Sequence, residues 1–263
     1  MAKRQAALTL AASAVAGEVP VIARKRSLAL MRSDGKVAPS LRIGGSNFSH
    51  RLTRMPRSVR SAEALGRMRL SASFFMRDFL HSEIAAIYGM ANMPDDPDLA
   101  IAAGRSLCEH LLEPLQATFG RLAIRSAYRS PEVNAFGNAH FHNCASNEKN
   151  RARHIWDQRS ADGGMGAVTS IVIPWLVDRL DRGVTWQSMA WWIHDHLPYS
   201  ELQFFPKLAA FNIGWHQRPQ RKISSFAPPR GVLTKPGLAN HGGDHSEWYR
   251  GFPALADRSR ISP

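Results

Sequence analysis

The segment LAIRSAYRSPEVN, Leu122 to Asn134, decides the fold that we predict for this chain. Its first half alternates with the period of two that is typical of a strand with one buried face. Ser130 can cap a following helix, Pro131 suits the first helical turn, and Glu132 complements the positive end of the helix dipole. Arg129 is therefore predicted where a strand ends and a helix begins. There it either pairs with a surface carboxylate or serves a binding site.

The same segment resembles the SGYRSPxxN motif of the zinc-dependent D-Ala-D-Ala carboxypeptidases and related peptidoglycan peptidases, which share the hedgehog/DD-peptidase fold. Four further segments resemble parts of that family in the same order: FMRDFLHSEIAAIYGMANMP (Phe75–Pro94), LLEPLQATFG (Leu111–Gly120), LPYSELQFF from Leu197, and NIGWH ending at His216. The likeness covers roughly residues 74 to 225. It predicts an α+β fold, in which a small antiparallel sheet of the hedgehog/DD-peptidase type is flanked by helices.

The resemblance also implies where zinc would bind. In the family, a His and an Asp of an S-x-H-x-x-G-x-A-x-D motif and a second His of a W-x-H strand hold the ion. GAVTSIVIP, Gly166–Pro174, is similar to the second half of that motif, which places Gly163 and Ser170 where the His and Asp ligands belong. A neutral hydroxyl is a poor zinc ligand, and glycine offers no side chain. The metal site of the family is therefore altered here.

Replacement ligands lie close by in the sequence. His154, Asp157 and Asp162 fall within the short polar loop RARHIWDQRSADGG. We predict a shifted zinc site held by His154, by Asp157 or Asp162, and by His216. Imidazole and carboxylate groups are ordinary zinc ligands, and a zinc ion would lower the pKa of its bound water toward about 7.

Two further residues are predicted to act beside the metal. The resemblance implies that Arg129 binds the terminal carboxylate of a substrate or a developing oxyanion, since its fork of donors matches two oxygens. The general base of the family is a Glu, but Phe205 stands at that position. Glu201 is the nearest acid and is our candidate for the base, with the loop aspartates as alternatives.

The altered site leaves three functions open. The first is a zinc metallopeptidase, a D,D-carboxypeptidase or endopeptidase that acts on peptidoglycan stem peptides. The second is a non-catalytic peptidoglycan-binding or virion structural module that keeps the fold without the metal. The third is nucleic-acid binding through a basic N-terminal arm.

The positive charge is concentrated at the N-terminus. Residues 1–70 hold 14 Lys and Arg but 3 Asp and Glu, whereas the rest of the chain is nearly neutral. We predict a basic, disordered segment over 1–70, a peptidase-like domain over 71–228 and an irregular tail over 229–263. A disordered arm presents no fixed binding surface, so we expect at most weak nucleic-acid binding from it.

The compartment stays open between periplasmic or extracytoplasmic, cytoplasmic and phage-associated locations. Lys3 and Arg4 precede AALTLAASAVAG, which resembles a secretory signal with a weak apolar region. No window reaches the roughly 18 apolar residues of a membrane span. Two cysteines do not make a disulfide framework.

Two other histidine-rich stretches are predicted to be structural. His194 and His196 flank Asp195 near a predicted helix end. A positive imidazolium there would interact favourably with the helix dipole, so we predict a capping role for these histidines and not metal binding. The stretch HGGDHSEW, which begins at His241, has ligand-type residues without rigid spacing, and we interpret it as part of a solvated tail.

Overall fold

The computed structural model describes residues 58–207 and 209–256. Most of the predicted basic arm lies outside the described residues, and so does the nucleic-acid binding that we considered for it. The end of that arm is folded. Helix α1 (Val59–Gly66) is capped by Ser58, whose side chain accepts a hydrogen bond from the N–H of Ser61. Leu65 of this helix is fully buried. The folded part therefore begins before the predicted boundary, because Leu65 finds core contacts that its local sequence does not indicate.

Six strands form one sheet in the order β1-β2-β4-β3-β5-β6. The strands are β1 (Ala123–Ser126), β2 (Gly166–Val172), β3 (Glu201–Phe204), β4 (Phe211–His216), β5 (Lys222–Ser225) and β6 (Gly231–Thr234). The predicted α+β class is confirmed. The β3–β5 pair is parallel, unlike the antiparallel sheet that we predicted, while the other four pairs are antiparallel. This pair is parallel because the chain turns back at β4 and again at β5, which then lies beside β3.

Helices surround this sheet. They are α2 (Glu83–Tyr88), α3 (Pro97–Leu107), α4 (Glu113–Phe119), α5 (Pro131–Ala139), α6 (Asn147–Asn150), α7 (Pro174–Leu180) and α8 (Trp186–His196), with 3-10 turns at Met76–Phe79 and Ser246–Tyr249. A π-helical stretch, Cys108–Leu112, joins α3 to α4 just before Pro114. Proline has no N–H for the regular helical bond, which accounts for a wider turn next to it.

The core lies between one face of the sheet and the helices. Helix α3 packs against β2 and β4. Along β3, Leu202 and Phe204 are buried, whereas Glu201 and Gln203 are half-buried. Successive strand residues point to opposite faces, so the second face of the sheet carries polar groups. That second face is the one that offers a binding site.

The C-terminal region is ordered, unlike the irregular tail that we predicted. Strand β6 pairs with β5, and the 3-10 turn Ser246–Tyr249 packs against α8. Further on, the indole N–H of Trp192 donates to the carbonyl of Pro253 at 3.1 Å. The sequence did not reveal this order, because the partners of the tail lie on helices far away along the chain.

Candidate functional site

The strand, arginine and helix predicted from the opening segment are confirmed as β1, Arg129 and α5. Ser130 caps α5, and its side chain accepts a hydrogen bond from the N–H of Val133. The Arg129 guanidinium donates through Nη1 to the sulfur of Cys144 at 2.6 Å, and its Nε–H is buried without a partner. Burial lowers the pKa of Arg129, and the contact with Cys144 opposes that shift. This arginine is therefore half-buried, and it pairs with no carboxylate among the described residues.

His154 is buried next to this arginine. Its carbonyl accepts the backbone N–H of Arg129 at 2.8 Å, and its Nδ1 lies 2.8 Å from the carbonyl of Ala127. A carbonyl only accepts, so Nδ1 carries the proton. Burial, with the nearby charge of Arg129, lowers the pKa of His154 well below its usual value. This neutral histidine supports the turn that follows β1.

Asp157 contacts a different part of the chain. Its Oδ2 accepts the backbone N–H of Asp95 at 2.8 Å. Burial raises the pKa of Asp157. The carboxylate thus anchors the loop before α3.

Asp162 and His216 do come together. The His216 Nε2 lies 4.0 Å from Asp162 Oδ1 and 2.9 Å from the hydroxyl of Ser160. Asp162 is exposed, and its Oδ2 accepts from Arg218 Nε at 2.7 Å. The hydrogen bond from Arg218, with that from Ser160, lowers the pKa of Asp162. The other ring nitrogen of His216 lies 3.0 Å from the N–H of Arg218.

The four predicted zinc ligands therefore do not form one group. In the part of the chain that the structure describes, no three of His154, Asp157, Asp162 and His216 bring ligand atoms within 4.8 Å of one another. Neighbouring side chains of their loop turn to different partners, since Arg153 contacts Glu201 while His154 contacts Ala127. Sequence proximity could not reveal this divergence.

Glu201, the predicted base, lies at the start of β3 in a cleft of about 300 Å³. Its Oε2 lies 2.8 Å from Arg153 Nη2. Burial raises the pKa of Glu201, and the positive charge of Arg153 opposes that shift. His216 lines the same cleft, so the structure brings Glu201 and His216 together there.

Basic residues of one chain segment also line this cleft. Lys149, Arg151 and Arg153 lie beside it, together with Glu148 of the same segment. Trp215 borders the cleft through its strand, but by the period of two its ring lies on the opposite face of the sheet, where it stacks on His110 with the centroids 5.9 Å apart. The cleft thus offers cationic donors, which are suited to a ligand with a carboxylate.

The strand position that the family would use for its Asp ligand is neutral. Ser170 of β2 lies opposite Asn212 of β4, and its hydroxyl donates to the Asn212 side-chain oxygen. Val168 and Gly214, two residues along the same strands, line the cleft. By the period of two, the Ser170–Asn212 pair lies on the same face of the sheet as the cleft.

A second polar cluster lies at the end of α8, where sequence reasoning placed none. His194, Asp195 and His245 bring ligand atoms within 4.8 Å of one another, so these three residues can hold a metal ion. Burial lowers the pKa of His194, which favours the neutral, metal-binding form. The sequence shows the stretches HDH and HGGDH, but it does not predict that residues about 50 positions apart come into contact.

Comparisons of the chain with family models, with curated proteins and with solved structures gave no match. The resemblance to peptidoglycan peptidases therefore rests on the sequence segments alone. Within the described residues, no helix is both long and apolar enough to cross a membrane.

Proposed function

We propose that this protein is a non-catalytic peptide-binding module with a peptidoglycan-peptidase-like fold. The observation that carries the proposal is the hydrogen bond from Ser170 to Asn212. If the resemblance holds, Ser170 stands where the family has its zinc-binding Asp, and the pair that it forms with Asn212 is neutral. Zinc prefers thiolate, imidazole and carboxylate ligands, so this pair does not suit the ion.

The cleft beside Glu201 is the proposed binding site. Its basic residues, Lys149, Arg151 and Arg153, complement a carboxylate. The Glu201 carboxylate holds the guanidinium of Arg153 in one position at 2.8 Å. We infer that the ligands are peptides with a free terminal carboxylate, of which peptidoglycan stem peptides are the class that the resemblance implies.

We further propose that zinc, the cofactor predicted from the sequence, belongs to His194, Asp195 and His245 and not to the cleft. Two imidazoles and one carboxylate are a common zinc-binding set. Peptide binding in the cleft does not depend on this ion.

Calorimetric titration with an N-acetylated tripeptide that ends in Lys-D-Ala-D-Ala tests the binding proposal. The same peptide with an amidated C-terminus is the ligand control. We expect the free acid to bind at least about tenfold more tightly, because charge-assisted hydrogen bonds contribute about 1.5–3 kcal/mol. A double variant, Lys149→Ala with Arg151→Ala, should lose most of that difference.

A matched double variant, Arg182→Ala with Lys235→Ala, removes the same charge from exposed positions outside the cleft and should bind as the parent does. Chromatography of the peptide after long incubation with zinc measures hydrolysis. Equal binding of acid and amide would contradict the proposed site. Cleavage that Glu201→Gln abolishes would overturn the non-catalytic proposal in favour of the peptidase.

A further inference from the structure

We propose that a zinc ion at His194, Asp195 and His245 fastens the C-terminal segment, residues 240–249, to the end of helix α8. The inference rests on the zinc assignment made under the proposed function and is independent of peptide binding. His194 and Asp195 belong to the last turn of α8, whereas His245 precedes the 3-10 turn of the C-terminal segment. An ion shared by the three would join these two parts directly.

The ligand atoms are close enough for one ion. His245 Nδ1 lies 2.7 Å from Asp195 Oδ1, and the ring centroids of His194 and His245 are 5.3 Å apart. Zinc–ligand distances are about 2.0–2.2 Å, which places two ligand atoms of a tetrahedral site roughly 3.3–3.6 Å apart. Small side-chain movements would therefore bring all three groups into contact with the ion.

The hydrogen bonds orient both histidines in the same way. His245 Nε2 lies 3.0 Å from the carbonyl of Asn240, and His194 Nε2 lies 2.9 Å from the carbonyl of His241. Carbonyls accept only, so each Nε2 carries a proton in these contacts. His194 then has its lone pair on Nδ1, which faces a hydroxyl. His245 Nδ1 faces the carboxylate of Asp195, which only accepts, so it carries a second proton that a bound metal ion would displace. Metal-binding histidines commonly donate the opposite N–H to a carbonyl in this manner.

A metal ion can take the place of the present hydrogen-bond partner of each Nδ1 atom. His194 Nδ1 lies 2.7 Å from the hydroxyl of Tyr199, which has the carbonyl of Arg221 as an alternative acceptor at 3.4 Å. His245 Nδ1 faces a carboxylate, which is itself a zinc ligand. Releasing these contacts therefore leaves no buried donor without a partner.

Surrounding groups hold the ligands in place. Tyr249 donates its hydroxyl proton to Asp195 Oδ2 at 2.8 Å, and the ring of Trp191 stacks on His245 with the centroids 4.0 Å apart. His194 and His245 are each 7% exposed. Asp195 is exposed, so the site combines two buried imidazoles with a carboxylate at the surface. Supporting contacts of this kind favour a specific metal site over loose surface binding.

Zinc titration of the full chain, after chelator treatment, tests the site. We expect about one bound equivalent by elemental analysis. At a free zinc concentration about 100 times Kd, Tm should rise by roughly 5–10 °C. His194→Ala and His245→Ala should each abolish the rise, and Asp195→Asn should weaken it. His140→Ala with His142→Ala, two exposed loop histidines, is the matched control and should bind zinc normally.

Limited trypsin digestion tests the fastening itself. Cleavage after Arg230 and Arg250, which flank the segment and are each followed by glycine, should slow when zinc is added to the parent and stay fast in His245→Ala. Zinc binding that survives in both histidine variants would overturn the site, and binding without slower cleavage would overturn the fastening. Tripeptide titration of His245→Ala keeps the two proposals apart, since loss of the metal should leave peptide affinity unchanged. Circular dichroism confirms that each variant is folded.

Discussion

Ser170 on β2 donates a hydrogen bond to the side-chain oxygen of Asn212, the residue directly opposite on β4. The pair lies on the same sheet face as Glu201, which lines the cleft at the start of β3. A hydroxyl and an amide satisfy each other without a metal. A zinc ion of the kind that the sequence resemblance implies would therefore find no carboxylate ligand at this pair.

Removing the hydroxyl of Ser170 should destabilise the fold modestly. Asn212 is 6% exposed, so its side-chain oxygen would lose a donor in a nearly dry environment. We expect Ser170→Ala to lower the free energy of unfolding by about 1–2 kcal/mol. Urea denaturation measures this change. Ser224→Ala is the control, because that hydroxyl makes a longer contact, 3.4 Å to the carbonyl of Leu202, and should cost less than about 0.5 kcal/mol.

The pH dependence of stability should reveal the burial of Glu201. Burial raises its pKa above the usual 4.5, so the native state binds this proton more tightly than the unfolded chain does. Stability then falls as the pH rises from about 4.5 through the raised pKa. Glu201→Gln cannot titrate and should lose this fall.

Thermal denaturation of the parent and Glu201→Gln between about pH 4 and pH 8 makes the comparison. We expect the two Tm values to be closest at the acidic end and the variant to gain on the parent as the pH rises. The opposite trend would mean that the attraction of Arg153, at 2.8 Å, outweighs the cost of burying the carboxylate.

Gly166 should tolerate no side chain. A Cβ there would lie 2.5 Å from the carbonyl oxygen of Ala152 and 2.9 Å from that of Trp215, and backbone atoms cannot move aside cheaply. We expect Gly166→Ala to cost about 1–3 kcal/mol or more. Gly242→Ala, where a Cβ meets nothing within 4 Å, is the control. Equal denaturation midpoints of the two variants would show that the loop of Ala152 does not pack on β2 as described.

Cys144 should react with an alkylating reagent before Cys108 does. Cys144 is half-buried, so its sulfur is more accessible to the reagent. Cys108 is fully buried, and burial raises the pKa of its thiol. Mass spectrometry of the native protein during iodoacetamide treatment measures both rates. Cys144→Ser should remove the fast phase, and early labelling of Cys108 would contradict the packing of the π-helical stretch.

Local sequence predicted the elements whose signals are short in range. The cap at Ser130 and the strand before Arg129 each follow from neighbouring residues, and each is present. Glu201 and His216 were also predicted as site residues, and they share one cleft.

The tertiary structure decided which side chains meet. His154 and Asp157 are three residues apart but contact Ala127 and Asp95 respectively, so they do not act together. His194 and His245 are far apart in the chain, yet their rings are 5.3 Å apart. A side chain reaches its partners through the path of the whole backbone. The sequence by itself determined the residue types, caps and strand periods, while only long-range packing decided their convergence into a cleft and a metal-binding cluster.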